Sequence, residues 1–358
     1  MTVGRVRVLV IDDSAFNRRA IVKMLESLPN VEVIGYACDG EEGLRKVIDL
    51  KPDLVTLDLQ MPRMDGFTLL RIVMQNQPTP IIVVSSVSGD ENVFKALELG
   101  AVEFVSKPTA RVSPSLMDIR EELIEKVREV TGANLDNVVA RSSSQKTMRP
   151  MRQEPKAPKV IVPASGEFPV VAIGSSTGGP PALQTLFSSI QNEIPVAFAV
   201  AQHMPASFTK AFSERLNRFS ALSIREAAHG DVLQPGQVLI APGGKNLGFI
   251  ERRGTLVADL SDPKPHHRYI PSVDVLFASL APVCRSRLLG VVLTGMGNDG
   301  SRGAVAVKEQ GGAVFAEAEE TSVVFGMPKE AIAAVDVDGI IPLPQMCGEI
   351  LKFCKLSG

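Results

Sequence analysis

The feature that most constrains the fold is a repeated alternation of short, almost continuously apolar segments with segments of helical periodicity. Strands that are apolar at every position are typical of parallel sheets, because helices cover both faces of such sheets. Five such units run from residue 5 to residue 125, and the last helix carries Ile119, Leu123, Val127 and Val130 on one stripe. Five consecutive units predict a doubly wound parallel sheet with right-handed crossovers.

The alternation is interrupted once, by a segment rich in serine, proline and lysine. Arg141–Ser165 has no apolar periodicity, which is typical of a flexible linker. A second alternation starts at Pro169, and a β-hairpin is predicted over Leu247–Leu260. We therefore predict two doubly wound parallel-sheet domains. The predicted segments are an α/β domain over residues 5–125, a helix extension and flexible linker over residues 126–167, and a larger α/β domain over residues 168–354.

Composition and charge argue against several classes of protein. The net charge of −2 does not favour a nucleic-acid surface, which usually needs a basic patch, and no helix-turn-helix pattern follows the linker. The four cysteines are scattered without a Cys-x-x-Cys spacing, which indicates reduced thiols. No apolar stretch is long enough to span a bilayer, and no cleavable signal is evident. The sequence therefore predicts a cytoplasmic protein with no nucleic-acid partner and no direct membrane insertion.

Polar side chains with complementary chemistry stand at strand ends in the first half. They are three carboxylates, two hydroxyls and an ammonium group, from Asp12, Asp13, Asp58, Ser85, Ser86 and Lys107. The carboxyl ends of parallel strands meet at one crevice, so we expect these groups to lie close together. Clustered carboxylates repel one another and favour a bound cation, and their hard oxygen ligands select Mg²⁺. The lysine and a hydroxyl suit a negatively charged phosphoryl group.

A simpler interpretation is that each aspartate only caps the helix after its strand. That interpretation accounts for Asp12, Asp13 or Asp58 taken singly. It does not account for carboxylates, hydroxyls and a Lys-Pro pair at four different strand ends. We therefore favour a phosphate-accepting site that binds magnesium.

The first half resembles the receiver domain of bacterial response regulators. The resemblance rests on Asp12-Asp13, Asp58-Leu59-Gln60-Met61-Pro62-Arg63-Met64-Asp65-Gly66, Ser85-Ser86 and Lys107-Pro108, in order and at the expected spacing. It implies that Asp58 accepts the phosphoryl group. It also implies that Asp13, Asp58 and the backbone carbonyl of Gln60 bind Mg²⁺, with Asp12 nearby. By the same resemblance, Ser85 and Lys107 sense the phosphoryl group and Phe104 is the switch aromatic residue.

A serine in a glycine-rich turn follows the first apolar strand of the second half. Ser176 stands in Gly174-Ser175-Ser176-Thr177-Gly178-Gly179, where glycines let a substrate approach the backbone and a helix start offers N–H groups to an oxyanion. His203 ends the next apolar strand, and Asp299 lies in a glycine-rich loop after another. A serine, a histidine and an aspartate at three strand ends form the constellation for acyl transfer.

Each of these residues also has a simpler interpretation. The serine turn could bind phosphate, although it lacks the Gly-Lys-Thr ending of a P-loop. His203 could be structural, and Asp299 could cap a helix predicted at Ser301–Glu309. The adjacent His266 and His267 suggest a metal pair. Neighbouring side chains in an extended segment point apart, however, which favours an exposed or substrate-facing loop.

The second half resembles the catalytic domain of the chemotaxis protein-glutamate methylesterases, the CheB family. The motifs are Ile173-Gly174-Ser175-Ser176-Thr177-Gly178-Gly179, Gln202-His203-Met204-Pro205, Ile240-Ala241-Pro242-Gly243 and Leu293-Thr294-Gly295-Met296-Gly297-Asn298-Asp299-Gly300. The resemblance implies that Ser176 is the nucleophile, His203 the base and Asp299 its orienting group. It makes the backbone amide of Met296 a candidate oxyanion donor. The family usually has alanine where Ser175 stands, and we expect the Ser175 side chain to face away from the site.

Together the resemblances imply a flavodoxin-like receiver domain, a larger Rossmann-like hydrolase domain and an enzyme activated by phosphorylation. The implied reaction removes methyl groups from glutamate γ-methyl esters of chemoreceptors as methanol, and it also deamidates receptor glutamines. The implied partners are a chemotaxis histidine kinase as phosphodonor and methyl-accepting chemoreceptors as substrate. Mg²⁺ serves the receiver, and ester hydrolysis needs no cofactor. The alternatives are a phosphorylation-dependent binding module with an inactive hydrolase half, and an esterase or amidase for a small metabolite.

The predicted linker also bears on how phosphorylation controls the second half. A flexible linker does not transmit a rigid movement, so we expect steric control. In this hypothesis the unphosphorylated receiver covers the catalytic cleft, and phosphorylation of Asp58 loosens that contact.

Overall fold

The computed structural model describes residues 5–85, 90–107, 119–131, 134, 136–139, 167–265 and 268–356. The chain divides into two compact units, Met1–Gln145 and Lys146–Gly358. Some features singled out from the sequence lie outside the described residues, namely Ser86, Pro108, the segment Arg141–Ser165, His266 and His267.

The N-terminal unit is a five-stranded parallel sheet with helices between its strands. The strands are β1 (Val6–Ile11), β2 (Val31–Ala37), β3 (Leu54–Leu57), β4 (Ile81–Ser85) and β5 (Glu103–Ser106). The helices are α1 (Ala15–Leu25), α2 (Gly40–Leu50), α3 (Gly66–Asn76), α4 (Asp90–Glu98) and α5 (Arg120–Val130). The spatial order is β2-β1-β3-β4-β5, so the winding reverses at β1, and the carboxyl ends of β1 and β3 flank the reversal.

Burial and capping explain why these segments form strands and helices. Every residue of β3 and β4 is buried, as expected for strands that helices cover on both faces. The apolar stripe predicted for α5 is confirmed by the burial of its members, Ile119, Leu123, Val127 and Val130. The first turns of α1, α2 and α3 are capped by the side chains of Ser14, Asp39 and Asp65.

The C-terminal unit is a seven-stranded parallel sheet with a separate hairpin. The sheet strands are β6 (Val170–Ser175), β7 (Ala197–Gln202), β8 (Ser223–Glu226), β9 (Gln237–Ile240), β12 (Leu288–Val292), β13 (Ala313–Glu317) and β14 (Gly339–Ile341). The predicted hairpin is confirmed, and its antiparallel strands are β10 (Asn246–Arg252) and β11 (Thr255–Ser261). The helices are α6 (Gly179–Ser188), α7 (Ala206–Phe219), α8 (Val273–Cys284), α9 (Ser301–Glu309), α10 (Met327–Ala334) and α11 (Leu343–Phe353).

The strand order of the second sheet is β14-β13-β12-β6-β7-β9-β8. Strand β6 therefore lies between β12 and β7, and it pairs with both in parallel. The chain extends the sheet on the β7 side first and returns later to the β12 side, so the winding reverses at β6. The loops that follow β6, β7 and β12 emerge side by side at this reversal, where ligands of such sheets bind.

The predicted fold class, two doubly wound parallel-sheet domains, is confirmed, but the end of the chain differs from expectation. The sequence patterns do not predict β14 or α11. Strand β14 has three residues, of which only Ile341 is buried, so it lacks the continuous apolar run by which the other strands were recognised. Within the described part of the chain, no helix is long and apolar enough to cross a membrane.

Candidate functional site

Three carboxylates meet where the winding of the N-terminal sheet reverses. Asp12 follows β1 and Asp58 follows β3, and these strands are neighbours. Both side chains are buried, whereas Asp13 is exposed. One carboxylate oxygen from each of the three residues lies within 4.8 Å of the others. The structure therefore places the predicted acidic cluster at the carboxyl ends of adjacent strands.

Lys107 and Ser85 reach the same carboxylates from the ends of β5 and β4. The Lys107 ammonium lies 2.7 Å from Asp12 Oδ2 and also contacts Asp58 Oδ2. The Ser85 hydroxyl donates a hydrogen bond to Asp58 Oδ1 at 2.9 Å. The Gln60 amide donates to that oxygen at 3.2 Å. Asp58 is thus surrounded by a cation, a hydroxyl and an amide, which are groups that also bind phosphoryl oxygens.

The acidic cluster is electrostatically crowded at Asp12. Burial raises the pKa of Asp12; the charge of Lys107 opposes this rise and that of Asp58 adds to it. Within the described residues, Asp12 Oδ2 accepts no aligned hydrogen bond, although the Lys107 ammonium lies at ion-pair distance. A buried carboxylate oxygen without an aligned donor, beside two further carboxylates, fits a hard divalent cation such as Mg²⁺.

One further residue predicted for this site, Phe104, lies on β5. The Phe104 side chain is buried on β5. The Lys107 amide donates to the Ser85 carbonyl at 3.0 Å, so the two predicted sensing residues are also joined through their backbones. Since Ser86 is outside the described residues, Ser85 is the hydroxyl that the structure places at Asp58.

In the C-terminal unit, Ser176 occupies the turn between β6 and α6. Its amide donates to the Thr294 carbonyl at 3.0 Å, and its carbonyl accepts from the Gly179 amide at 2.7 Å. Gly178 has a φ of 74°, which side chains disfavour, so the tight turn into α6 requires glycine there. Within the described residues the Ser176 hydroxyl makes no hydrogen bond, so the structure does not join it to His203. Such catalytic hydrogen bonds often form only when substrate is bound.

The neighbouring hydroxyl of Ser175 is directed into the protein interior. It is fully buried and donates to Gln202 Oε1 at 2.7 Å. The side-chain amide of Gln202 donates in turn to the carbonyls of Ser176 at 3.0 Å and His203 at 2.9 Å. Gln202 therefore ties together the two strand ends that carry Ser176 and His203, and Ser175 is part of that support.

His203 follows β7 and faces Asp299, which lies in the loop after β12. The distance between His203 Nε2 and Asp299 Oδ2 is 2.8 Å. An ionised carboxylate can only accept hydrogen bonds, so this contact assigns the proton of the neutral imidazole to Nε2. Nδ1 then carries the lone pair. The pair has the arrangement of a general base and its orienting carboxylate.

Asp299 lies against the N-terminus of α8, where backbone amides have no partner within the helix. Its Oδ2 accepts from the Val273 amide at 2.7 Å, and its Oδ1 accepts from the Ser272 hydroxyl and the Asp274 amide, both at 3.0 Å. Burial acts to raise the pKa of Asp299, but the hydrogen bond and charge of His203, together with the α8 amides, lower it below the ordinary value. The carboxylate is therefore a fixed negative charge at neutral pH.

Asp299 does not cap α9, which was the simpler interpretation of this residue. The residue at the cap position is Gly300, and the carboxylate that serves this helix is Asp274 of α8. Asp274 Oδ1 accepts from the amides of Gly300 at 2.9 Å and Gly303 at 2.7 Å. Asp299 thus binds the start of α8, while Asp274 binds the start of α9.

Thr294 and Gly295 lie directly against Ser176, and Met296 follows them in the chain. A Cβ atom added to Gly295 would stand 2.8 Å from Ser176 Cβ, so this contact leaves no room for a side chain. The Gly295 amide donates to the Val324 carbonyl at 3.0 Å, whereas the Met296 amide has no acceptor among the described residues. An unpaired N–H next to the residue that contacts Ser176 suits an oxyanion donor.

Tyr269 also belongs to this site, although no sequence pattern indicates it. Its ring stacks on the His203 ring with centroids 5.0 Å apart and planes 5° from parallel. Tyr269 lies in the loop before α8, where neither apolar periodicity nor a glycine motif marks a functional residue. The sequence places Tyr269 four residues before the start of α8, but this position does not predict its contact with His203.

Comparisons with known proteins agree for both units. Residues 171–350 match the CheB methylesterase family, and residues 8–114 match the response regulator receiver domain. The chain is 57% identical over 369 residues to protein-glutamate methylesterase/protein-glutamine glutaminase 3 of Geobacter sulfurreducens, with 98% of each chain covered. It is 49% identical over 341 residues to protein-glutamate methylesterase/protein-glutamine glutaminase 1 of Myxococcus xanthus, covering 95% of this chain and 94% of that protein.

A solved structure extends the likeness to the second sheet. The crystal structure of the Thermotoga maritima CheB methylesterase catalytic domain is 38% identical, with a TM-score of 0.51, over 52% of this chain and 98% of that one. Ser176, His203 and Asp299 all lie inside the range that matches the methylesterase family. Asp12, Asp58 and the residues around them lie inside the range that matches the receiver. The chain therefore belongs to the CheB methylesterase family and joins a response regulator receiver domain to a CheB catalytic domain.

Proposed function

We propose that this chain hydrolyses γ-methyl esters of glutamate residues in methyl-accepting chemoreceptors and releases methanol. The observation that carries the proposal is the contact of His203 Nε2 with Asp299 Oδ2, at 2.8 Å, beside the Ser176 turn. The relatives that span nearly the whole chain are named as methylesterases and glutaminases of protein side chains, which supports a protein-bound substrate.

In the proposed reaction, Ser176 Oγ attacks the ester carbonyl while His203 Nδ1 takes up the hydroxyl proton. Asp299 keeps the imidazole in the tautomer with Nδ1 unprotonated and stabilises the positive charge that forms on the ring. The Met296 amide donates to the oxyanion of the tetrahedral intermediate. His203 then gives its proton to the leaving oxygen, and methanol departs from the acyl-serine.

Water completes the cycle by attacking the acyl-serine, with His203 again as the base, and the receptor glutamate is released. A receptor glutamine leads to the same acyl-enzyme, because only the leaving group changes from methanol to ammonia. We therefore include deamidation of receptor glutamines in the proposed function.

We further propose that Asp58 accepts a phosphoryl group from a chemotaxis histidine kinase. Asp12, Asp13 and Asp58 would hold Mg²⁺ together with the backbone carbonyl of Gln60, and the ion would neutralise phosphoryl charge. Ser85 already contacts Asp58 and would bind a phosphoryl oxygen, as would the Lys107 ammonium. Phe104, buried on β5, the strand that leads to Lys107, would respond to that change in contacts.

We place this reaction in the cytoplasm, because the proposed phosphodonor and the helical bundle of the proposed substrate both belong there. All four cysteines of the chain are free thiols, which supports a reducing compartment. The proposed function therefore needs a single compartment for phosphorylation and ester hydrolysis.

Methanol release from receptor-containing membranes tests this function. The wild type should release methanol from methylated receptors, and Ser176→Ala should not. Ser175→Ala is the matched control, since it removes the neighbouring hydroxyl. Hydrolysis of small esters without methanol release from receptors would indicate an esterase for metabolites. Hydrolysis of neither substrate would indicate a binding module.

A further inference from the structure

We propose that Tyr269 is a positioning residue that holds the His203 imidazole in the plane needed to take the Ser176 proton. The two rings are stacked, with centroids 5.0 Å apart and planes 5° from parallel. The inference rests on the proposed function, because it takes His203 as the general base. It adds Tyr269, from the loop before α8, to the proposed catalytic residues Ser176, His203 and Asp299.

The stack supplies a constraint that the carboxylate alone does not provide. Nε2 lies closer than Nδ1 to the axis of rotation about the Cβ–Cγ bond of His203, so a turn of the ring about this bond displaces Nδ1 more than it displaces the contact to Asp299. The same turn moves Nδ1 out of its plane and away from the serine. A parallel ring at 5.0 Å opposes the turn, because the imidazole edge would be driven into the phenol.

Tyr269 is itself held by the glycine-rich loop after β12. A Cβ atom added to Gly297 would stand 2.1 Å from the Tyr269 hydroxyl oxygen, so the end of the phenol fills the space of a side chain there. Gly297 also has a φ of 92°, which glycine tolerates. Because Gly297 follows Met296, the Tyr269 ring spans the proposed base and the segment with the proposed oxyanion donor.

The ring also suits the charge that develops on His203 during the reaction. When the imidazole takes up the serine proton, the new positive charge faces the electron-rich face of the phenol. The Arg268 guanidinium already makes such a cation–π contact with the ring, 5.3 Å from its centroid. The aromatic face is thus the part that acts on His203, and the hydroxyl only helps to seat it.

Substitutions of Tyr269 separate the contribution of its aromatic face from that of its hydroxyl. Tyr269→Leu should lower kcat by about 10- to 100-fold and leave KM within about twofold, because a displacement of about 1 Å at a catalytic group can cost that much. Tyr269→Phe keeps the aromatic face and should restore kcat to within about threefold of the wild type. Methanol release from receptor-containing membranes gives both constants, after circular dichroism has shown that each variant folds.

A spectroscopic readout tests the stack without using activity. The chain has four histidines, so ¹³C-labelled imidazoles give few resonances, and the spectrum of His203→Gln identifies those of His203. The phenol ring current should shift the His203 ring protons upfield in the wild type and in full-length Tyr269→Phe. Tyr269→Leu should remove that shift.

Three results would overturn the inference: wild-type kcat in Tyr269→Leu, unmoved His203 resonances in that variant, or an equal loss of kcat in Tyr269→Phe. A wild type that releases no methanol would contradict the proposed function instead. The resonances would then still decide whether Tyr269 orients His203.

Discussion

The two sites occupy equivalent places in two parallel sheets, yet they treat a buried aspartate in opposite ways. In the N-terminal unit, burial raises the pKa of Asp12, and the neighbouring Asp58 adds to that effect. In the C-terminal unit, burial also acts to raise the pKa of Asp299, but His203 and the α8 amides lower it below its ordinary value. The position in the fold is the same, so the donors around each carboxylate decide its charge.

The opposite pKa shifts of Asp12 and Asp299 suit two different functions. A crowded carboxylate cluster is unfavourable until a cation or a change of charge relieves it, which suits a site that is switched. A carboxylate that accepts hydrogen bonds on both oxygens stays ionised, which suits a residue that must orient a base in every cycle. The comparison predicts that Asp12 responds to Mg²⁺ and pH, whereas Asp299 does not change near neutral pH.

The largest expected effect comes from removing the proposed nucleophile of the C-terminal site. Ser176→Ala should lower kcat for ester hydrolysis by about a million-fold, the scale known for the serine of subtilisin. Ser175→Ala should remain active, since it loses only a buried hydrogen bond to Gln202, worth about 1 kcal/mol of stability. Methanol release measures both variants. An inactive Ser175→Ala beside an active Ser176→Ala would show that the assignment is displaced by one residue.

Removing the negative charge of Asp299 should have the next largest effect on kcat. Asp299→Asn should lower kcat by about 10⁴-fold, because the amide cannot hold the imidazole in the required tautomer. Asp274→Asn is the matched control on the same helix start: it weakens the cap of α9, at a cost of about 1 kcal/mol, without touching His203. Equal losses of kcat in the two variants would mean that Asp299 serves the fold rather than the base.

A smaller, several-fold change in the rate of ester hydrolysis is expected when the N-terminal unit, which carries Asp12 and Asp58, is removed. A fragment that begins at Pro169 contains every strand of the second sheet, and it should hydrolyse receptor methyl esters faster than the intact unphosphorylated chain. It should also ignore phosphodonor. If the fragment folds by circular dichroism but is slower than the intact chain, the N-terminal unit activates the enzyme or docks its substrate.

The smallest expected effect is on stability and follows from the raised pKa of Asp12. A carboxyl group with a raised folded pKa opposes folding once ionised, so the penalty is absent below the ordinary value of 3.8 and complete above the folded pKa. Mg²⁺ should relieve it, with about 2.7 kcal/mol of stabilisation at a hundredfold excess over Kd at neutral pH and less in acid. Calorimetry of the intact chain measures this.

Asp12→Asn provides the control for the magnesium experiment. It removes one of the crowded charges, so the chain should be more stable without Mg²⁺ and should gain less when Mg²⁺ is added. The pKa of Asp299 is lowered, so its stabilising contribution is present above the ordinary value of 3.8 and is lost only as the pH falls through the lower folded value. A magnesium effect that grows toward acid pH would contradict the role given to Asp12.

The residues at strand ends could be predicted from the sequence, because parallel pairing brings the ends of neighbouring strands together. Asp12, Asp58 and His203 each follow an apolar run, and the sheet order then places them at the two winding reversals. Chemistry of this kind depends on strand pairing alone, which the apolar pattern encodes well.

Contacts made by loops and helix starts could not be predicted in the same way. The start of α8 reaches Asp299, and Tyr269 reaches His203, through a loop whose course no repeating pattern encodes. The sequence allowed Asp299 to cap the helix that follows it, whereas the fold pairs it with the preceding helix. Which donor meets which carboxylate depends on this tertiary path, so the opposite pKa shifts of Asp12 and Asp299 were also beyond prediction.

The central claim is that charge placed on Asp58 controls hydrolysis at Ser176. The most direct test is methanol release from receptor-containing membranes with Mg²⁺, with and without a small phosphodonor, together with the intact mass of the protein. The wild type should gain one phosphoryl group and release methanol faster. Asp58→Asn should gain none and keep its basal rate. An undiminished phosphoryl label on Asp58→Asn, or an unchanged rate in fully phosphorylated wild type, would contradict the account.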